Sequence, residues 1–271
     1  MESDFDIELR LLLEAIYAKY QHDFRHYSLA SLGRRLKQAL SHFGVRTLSG
    51  LQERVLREPE VFHELLSYLT VSVSEMFRDP MFFRVLREDV VPVLQTYPSI
   101  KVWVPGCSTG EEVYSLAIVF REEGLLGKSL IYATDINSSA LDRARKGIFS
   151  EERIAAFSKA YLAAGGKASL SDYYTLGYGS AKFDRSLVRD VLFSDHSLVT
   201  DHVFAEVQLV SCRNVLIYFD AELQDRAVGL FAESLSRRGF LALGAKETLR
   251  FTSHANAFRE LVREQRIYQK R

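Results

Sequence analysis

"KVWVPGCSTGEEVYSLAIVF", residues 101–120, sets a short apolar run against a glycine turn and then a helical pattern. Val102 to Val104 read as a buried strand, and Gly106 and Gly110 bracket a turn. Val113, Leu116, Ala117 and Phe120 then recur at helical spacing. Strand, glycine turn and helix is the frame of a nucleotide-binding loop. This one has neither the Gly-x-Gly-x-x-Gly of a dinucleotide site nor the Gly-Lys-Ser/Thr of a P-loop. Glu111 and Glu112 stand where such a loop would offer bare amides to phosphate.

Carboxylates repel phosphate but suit ribose hydroxyls, an ammonium group or a sulfonium. S-adenosylmethionine carries all three and no phosphate. A further acid, Asp135, closes the next apolar run in "YATDIN". In open α/β sheets ligands bind beyond the carboxyl ends of the strands, where a carboxylate can take both ribose hydroxyls. Glu112 and Asp135 are therefore expected to converge on one crevice. A second reading stands beside this one. Acids in a helix's first turn favour the macrodipole, which is the role expected for Glu111, and Asp135 before Asn137 can cap the helix that follows. The loop by itself leaves both readings open.

Outward from the loop, the pattern changes near residue 100. After it, strands alternate with helices: a helix over about 111–123, "SLIYATDIN" and a helix from Ser138 to Lys146, "VQLVSCRNVLIYFD" and a helix over about 221–236, then "GFLALGA" and "QRIYQK". Alternating βα units predict a parallel sheet with helices on both faces. Residues 166–194, rich in Gly, Ser and Tyr with short alternating runs, read as a small antiparallel insert.

Before residue 100 helical spacing dominates: Leu9, Leu12, Leu13 and Ile16; Leu29, Leu32, Leu36 and Leu40; Phe62, Leu65, Leu66 and Leu69. Ser28 and Thr47 are candidate N-caps, and Gly44 and Gly50 break the pattern. Asp79-Pro80 predicts a helix start, with Asp as cap, running to about Leu94. The expected division is a helical region over 1–70, a linker helix over 71–95 and an α/β domain over 96–271.

The 271 residues are 47% hydrophobic and 26% charged, enough for one large domain or two unequal ones. Formal net charge is zero, so no global field recruits nucleic acid or membrane. The apolar runs are too short to span a bilayer. Cys107 and Cys212 exclude a disulfide framework and a cysteine-cluster metal site, and the seven histidines have no metal-ligand spacing. No metal is expected. "MESDFDIELRLLLEAIYAKY" lacks the layout of a signal peptide, so a cytoplasmic location is expected.

Four segments together resemble the CheR-type methyltransferases, which methylate glutamates on bacterial chemoreceptors. "SVSEMFRDP" (72–80) is similar to the family's Asn-x-Thr-x-Phe-Phe-Arg segment. "GCSTGEEVYSLAI" (106–118) resembles its Ala-Ser-Thr-Gly-Glu-Glu-x-Tyr-Ser loop. "ATDINSSALDRARKGIF" (133–149) resembles its Ser/Thr-Asp-Ile segment, and "SCRNVLIYFD" (211–220) its Cys-Arg-Asn-Val-x-Ile-Tyr-Phe block. Order and spacing match from about residue 10 to the C-terminus.

The resemblance implies a Rossmann-like class I methyltransferase sheet with an N-terminal helical domain and a small β insert. S-adenosylmethionine would be the cofactor, S-adenosylhomocysteine the product, and receptor glutamates the substrate. Glu112 and Asp135 would hold the ribose or adenosyl portion beside Gly106. Arg78, with Ser72 and Ser74, would close over the methionine end. Ser197 and Leu198 would border adenine, and Cys212, Arg213 and Asn214 would line the floor. Tyr218 would sit beside the transferred methyl, making Arg78 and Tyr218 the catalytic pair. The family's late Gly-His-Ser-Glu-Asn segment reads "GAKET" here, Gly244 to Thr248, so contacts from its His or Ser are not carried over.

Between Asp23 and Glu53 the chain has no acid, while Arg25, Arg34, Arg35, Lys37 and Arg46 all lie there. Arg34 and Lys37, at i and i+3, share a helix face opposite Leu29, Leu32 and Leu36. Such a run is either a solvated face or a surface for a glutamate-rich receptor helix. The cytoplasmic helical domain of a chemoreceptor is the expected partner, with the chain acting as a monomer. Two other functions compete: a non-catalytic cofactor-sensing module that docks receptors, and a nucleic-acid methyltransferase. The latter would want an Asn/Asp-Pro-Pro-Tyr motif, which is absent.

Overall fold

The computed structural model describes residues 3–71 and 74–271. Ser72, expected at the cofactor, lies outside the described residues. Two compact units are formed, Met1–Ser72 with Tyr218–Arg226, and Val73–Ile217 with Ala227–Arg271.

The first unit contains helices α1 (Asp4–Tyr20), α2 (Leu29–Phe43), α3 (Leu48–Arg57) and α4 (Pro59–Leu69). Leu9, Leu12, Leu13 and Ile16 of α1 are all buried, as their spacing predicts. Ser3 caps α1 by accepting from the Asp6 amide, and Gly44 ends α2 in the left-handed conformation. Thr47 caps α3 through the Gly50 amide, so Gly50 lies inside the first turn instead of breaking the pattern. Ser28 makes no side-chain cap bond. Its amide donates to the Tyr218 carbonyl instead.

The buried stripe of α2 is Leu32, Gly33, Leu36 and Ala39, and Leu29 is exposed beyond its edge. Arg34 and Lys37 are exposed, whereas Arg35 turns partly inward. The segment Tyr218–Asp220 joins this unit by zippering to His26–Ser28. The Asp220 amide donates to the His26 carbonyl, His26 Nδ1 meets Asp220 Oδ2 at 3.0 Å, and the Tyr27 and Phe219 rings meet edge to face.

The second unit begins with a helical stretch whose ends are α5 (Pro80–Val85) and α6 (Val91–Gln95), joined by a π-helical turn, Leu86–Val90. The predicted helix from 80 to about 94 is there. Asp79, however, makes no cap bond and has φ of 56°. Then follow β1 (Ile100–Pro105), α7 (Glu111–Glu122), β2 (Ser129–Asp135), α8 (Ser138–Lys146), β3 (Ile148–Ser150), α9 (Ile154–Ala163), β4 (Tyr174–Gly177), β5 (Ser180–Phe183), β6 (Val191–Asp195) and β7 (Val207–Cys212). The chain closes with α10 (Ala221–Ser234), β8 (Leu235–Leu243), β9 (Phe258–Val262) and β10 (Ile267–Lys270).

Seven strands form one sheet in the order β6-β2-β1-β7-β8-β10-β9. The first five run parallel, and β10 and β9 are antiparallel additions. This is the mainly parallel α/β sheet predicted. Strand β1 sits between β2 and β7, so Val102, Trp103 and Val104 are buried on both faces. The parallel strands bring their carboxyl ends to one edge.

The antiparallel insert is a three-stranded sheet, β3-β5-β4. Its boundaries differ from 166–194. It opens at Ile148, takes in α9, and releases Val191–Asp195 to the main sheet as the edge strand β6. The alternating texture of 166–194 mixed a hairpin with a parallel edge strand of similar composition. On the insert side, Glu122 of α7 is buried among Arg87, Tyr161 and Tyr173, which ties the π-helical turn, α9 and the insert to α7.

Candidate active site

The loop after β1 is shaped by packing. Gly106 has φ of 65°, and a Cβ there would meet Val215 Cγ2 at 2.6 Å. Gly110 has φ of 93°, and a Cβ there would meet Ala144 Cβ at 2.9 Å. Only glycine satisfies both demands. Between them Ser108 takes a left-handed conformation, φ 51°, and its amide donates to Asp135 Oδ2 at 2.8 Å.

Asp135 Oδ1 accepts from the Asn137 amide at 2.9 Å. The cap of α8 is Asn137, whose side chain accepts from Ala140, so Asp135 is spared that role. Burial pushes the Asp135 carboxyl above its ordinary value, and the Asn137 and Ser108 amides oppose that push. Ser197 and Leu198 follow β6, whose last residue Asp195 is in register with Asp135. The Ser197 hydroxyl accepts from the Val199 and Thr200 amides and so shapes its own turn, while Leu198 is buried.

Glu112 stands on the other side of the loop, toward β7. Its Oε1 accepts from Ser211 Oγ at 2.6 Å and its Oε2 from Arg213 Nη1 at 3.1 Å. Glu112 and Asp135 have no common partner. They flank the β1 loop from the β7 and β2 sides, and do not form a pair. Arg213 Nη2 reaches Asp79 Oδ2 at 2.9 Å and the Arg78 carbonyl at 2.8 Å, and its guanidinium lies 4.0 Å from the Phe82 ring centre. Arg213 is therefore a buried hub joining β7, α7 and the segment before α5.

Asp79 spends its carboxylate on Arg213, leaving Arg78 without it. Arg78 makes no ion pair or side-chain hydrogen bond among the described residues. Residues 74–79 are a non-helical strap. The Phe77 amide donates to Ser115 Oγ, and Arg153 donates to the Ser74 carbonyl. Arg153 also pairs with Glu111, Nη1 to Oε1 at 2.8 Å. Glu111 is 0% exposed and takes a second bond from Thr109 Oγ1. It sits in the first turn of α7, as a helix-dipole role asks, and does more than that. It is a buried anchor for the strap.

Asn214 has φ of 61°, held by Glu247. Glu247 Oε2 accepts from the Asn214 and Gly244 amides, and Oε1 from the Ile217 amide. Burial raises the Glu247 carboxyl while those amides lower it. Cys212 is fully buried, and desolvation lifts its thiol well above the ordinary value, which disfavours a thiolate nucleophile. Tyr218 belongs to the first unit, half-buried. Its hydroxyl has no hydrogen-bond partner among the described residues, and Arg35 lies 5.6 Å from its ring centre.

At the carboxyl edge the second unit thus gathers Gly106, Glu112, Asp135, Ser197, Leu198, Cys212, Arg213, Asn214 and the backbone of Arg78. Arg153, Ser211 and Glu247 were not anticipated. A Gly-x-x-Glu turn could have signalled Glu247, but nothing local marks Arg153 or Ser211. Among the described residues, buried polar atoms at this edge have no hydrogen-bond partner: Ser108 Oγ, Arg213 Nε and Asn214 Oδ1. Such atoms suit a polar ligand with hydroxyl and amino groups, and an adenosyl amino acid fits. Among the described residues no group of His, Cys, Asp and Glu could hold a metal ion, and no helix is long and apolar enough to cross a membrane.

Comparison with known proteins gives the same result. The family model described as CheR methyltransferase, SAM binding domain, matches residues 72–267, and the CheR methyltransferase all-alpha domain matches residues 7–70. A Pseudomonas putida protein provisionally named methyltransferase Cher3 is 58% identical over 269 residues, covering 99% of this chain and 98% of its own. A Vibrio parahaemolyticus chemotaxis protein methyltransferase is 31% identical over 240 residues, covering 84% of this chain and 82% of its own. A Listeria innocua chemotaxis protein methyltransferase is 29% identical and covers 84% of each chain. With both family domains matched in order, and an acid-bearing loop in place of a phosphate loop, the chain belongs to the CheR family of S-adenosylmethionine-dependent methyltransferases.

Proposed function

We propose that the chain methylates glutamate side-chain carboxylates on the cytoplasmic helical domain of chemoreceptors, acting in the cytoplasm. The observation that carries this reading is the division of labour between two arginines. Arg213 is committed to Glu112 and Asp79, whereas Arg78, held beside it through its carbonyl, has no side-chain partner among the described residues. A spare guanidinium can orient a carboxylate, of the cofactor's methionine end or of the incoming glutamate, by charge-assisted bonds. Relatives named chemotaxis protein methyltransferase are consistent with this reading.

When bound, S-adenosylmethionine supplies an electrophilic methyl on a sulfonium. In this reading Asp135 and Glu112 accept from ribose or adenosyl hydroxyls and amines, and Ser197 and Leu198 border the adenine. Asn214, on the Cys212–Arg213–Asn214 floor, offers its unpartnered side-chain oxygen to an ammonium. Ser74 and Arg78 on the strap close the methionine end. A glutamate with a pKa of about 4.3 is already ionised at neutral pH, so no general base is required. The chain's work is positioning and electrostatics. Arg34 and Lys37 of α2 would receive the acidic receptor helix; Arg35, whose Nη1 and Nη2 are buried, is not available for that role.

The test is incubation with methyl-labelled S-adenosylmethionine and receptor-containing membranes, followed by mild base. Volatile labelled methanol is the signature of a carboxyl methyl ester and is the expected result. Cofactor binding with no transfer would replace this reading with a sensing module. Label in nucleic acid would replace it with a different transferase.

A further inference from the structure

The turn after β8 carries an exposed cation, Lys246, two residues beyond Gly244, which packs on Asn214. Gly244 to Glu247 form a tight turn, closed by the Glu247 amide on the Gly244 carbonyl at 2.9 Å. The turn is clamped on Asn214. A Cβ at Gly244 would come within 2.7 Å of Asn214 Nδ2 and 2.8 Å of the Asn214 amide nitrogen. Arg266 steadies it from the β9–β10 turn by donating to the Ala245 carbonyl. The next turns are also built, with Leu249 buried and Thr252 Oγ1 donating to the Leu249 carbonyl.

What this frame shows to solvent is basic and apolar. Lys246 and Arg250 are exposed, and Phe251 is 90% exposed. Arg263 and Arg266 lie at the same end of the sheet, since the Leu243 amide donates to the Arg266 carbonyl. Across residues 244–252 and 263–266, four bases face one exposed acid, Glu264. The other acid, Glu247, is turned inward onto three amides. Among the described residues Lys246, Arg250 and Arg263 make no ion pair. In a chain of zero formal net charge, this local excess is unbalanced. Surface bases held on a rigid frame beside a bare aromatic are an interface pattern, with the charges steering and the aromatic anchoring.

We infer that the Lys246–Arg250–Phe251 loop docks an acidic amphipathic helix of the methyl-accepting partner, carboxylates on the bases and an apolar side chain on Phe251. The inference rests on the function proposed above. It makes Lys246 a specificity determinant acting on partner capture, separate from the cofactor contacts.

The probe is a fluorescein-labelled amphipathic helical peptide with glutamates on one face and leucines on the other, read by anisotropy with the full chain. A glutamine-for-glutamate peptide is the control. K246E/R250E should weaken glutamate-peptide binding at least tenfold and flatten its salt dependence, and Phe251→Ser should weaken it at any salt. The S-adenosylmethionine Kd should stay within twofold, which also shows that the variants fold. In the methanol assay, K246E/R250E should raise KM for receptor membranes far more than it lowers kcat. Equal peptide binding by wild type and K246E/R250E, equal binding of the glutamine peptide, or competition by DNA but not by the acidic peptide would each overturn the docking surface. Failure of the wild type to form any methyl ester would sink the proposed function instead, and the peptide measurement would still decide the surface.

Discussion

Glu111, fully buried at the first turn of α7, is paired with Arg153, and the same guanidinium holds the carbonyl of Ser74. One ion pair therefore fixes the strap, residues 74–79, against the helix that carries Glu112. Removing Arg153 leaves a buried carboxylate with only Thr109 as a side-chain donor. Breaking a fully buried pair costs about 3–5 kcal/mol, and because Arg153 is 37% exposed we expect about 2–3 kcal/mol for Arg153→Ala. Urea unfolding measures this. Cofactor affinity should fall as well, and a variant of wild-type stability would deny the anchor.

Arg213 gives a steeper outcome. Its side chain is 1% exposed, with Glu112, Asp79 and the Arg78 carbonyl as partners and Phe82 beneath. Arg213→Lys keeps the charge but cannot span three acceptors. We expect a loss of about 2–4 kcal/mol in stability, with cofactor binding reduced by more than tenfold as Glu112 loses its orientation. Thermal unfolding and calorimetric titration, run on the same samples, check the two effects separately.

Arg78 should behave in the opposite way. With no ion pair to lose among the described residues, Arg78→Ala should leave the melting temperature within about 1 °C, as surface substitutions usually do. A charge-assisted hydrogen bond to a ligand is worth about 1.5–3 kcal/mol, so kcat/KM should drop by roughly tenfold to a hundredfold. Unchanged turnover would remove Arg78 from the site.

The parallel core was legible because its signals are local. Val102–Val104, the glycine turn and the α7 spacing lie within twenty residues, and α8 begins and ends at the predicted Ser138 and Lys146. Helix α9, with its stripe of Ile154, Phe157 and Tyr161 in an Ala-rich segment, was not anticipated. Edge strand β6 has no buried residue to mark it. In the site, Gly106, Glu112 and Asp135 were legible as residues, but their partners were not. Glu111 and Arg153 are 42 positions apart, Glu112 and Arg213 101, and Asn214 and Glu247 33. Tyr218 groups with helices nearly two hundred residues upstream through His26–Ser28, a pairing no window on "VLIYF" contains.

The basic run of α2 divides under substitution. Arg34 and Lys37 are exposed, and Lys37 lies 5.0 Å from the Phe5 ring centre. R34E/K37E should raise KM for receptor membranes several-fold while leaving stability and cofactor affinity alone, since surface charges mainly steer association. Arg35 differs. Among the described residues its Nη1 and Nη2 are buried without partners, and burial lowers its pKa. A buried guanidinium whose one hydrogen bond among the described residues is from Nε to the Ser31 carbonyl opposes folding, so Arg35→Met should hold or raise the melting temperature. A melting temperature lowered by Arg35→Met would show that Arg35 stabilises the unit.

Asp135 supplies a pH test. Its folded pKa lies above the unfolded value of 3.8 because burial disfavours the charge more than the Asn137 and Ser108 amides restore it. The folded chain therefore binds this proton more tightly than the unfolded chain. The group's contribution favours folding at the acid end and is lost as pH rises through the folded pKa. Cofactor capture runs the other way, because the ionised carboxylate can accept from both ribose hydroxyls and the protonated one has one acceptor fewer. S-adenosylmethionine affinity should thus climb as pH rises above the ordinary value of 3.8 and through the raised folded pKa. Asp135→Asn should bind weakly with a flatter profile. Calorimetric titration at a series of pH values decides the matter, and a wild-type profile as flat as that of Asp135→Asn would take Asp135 out of the cofactor site.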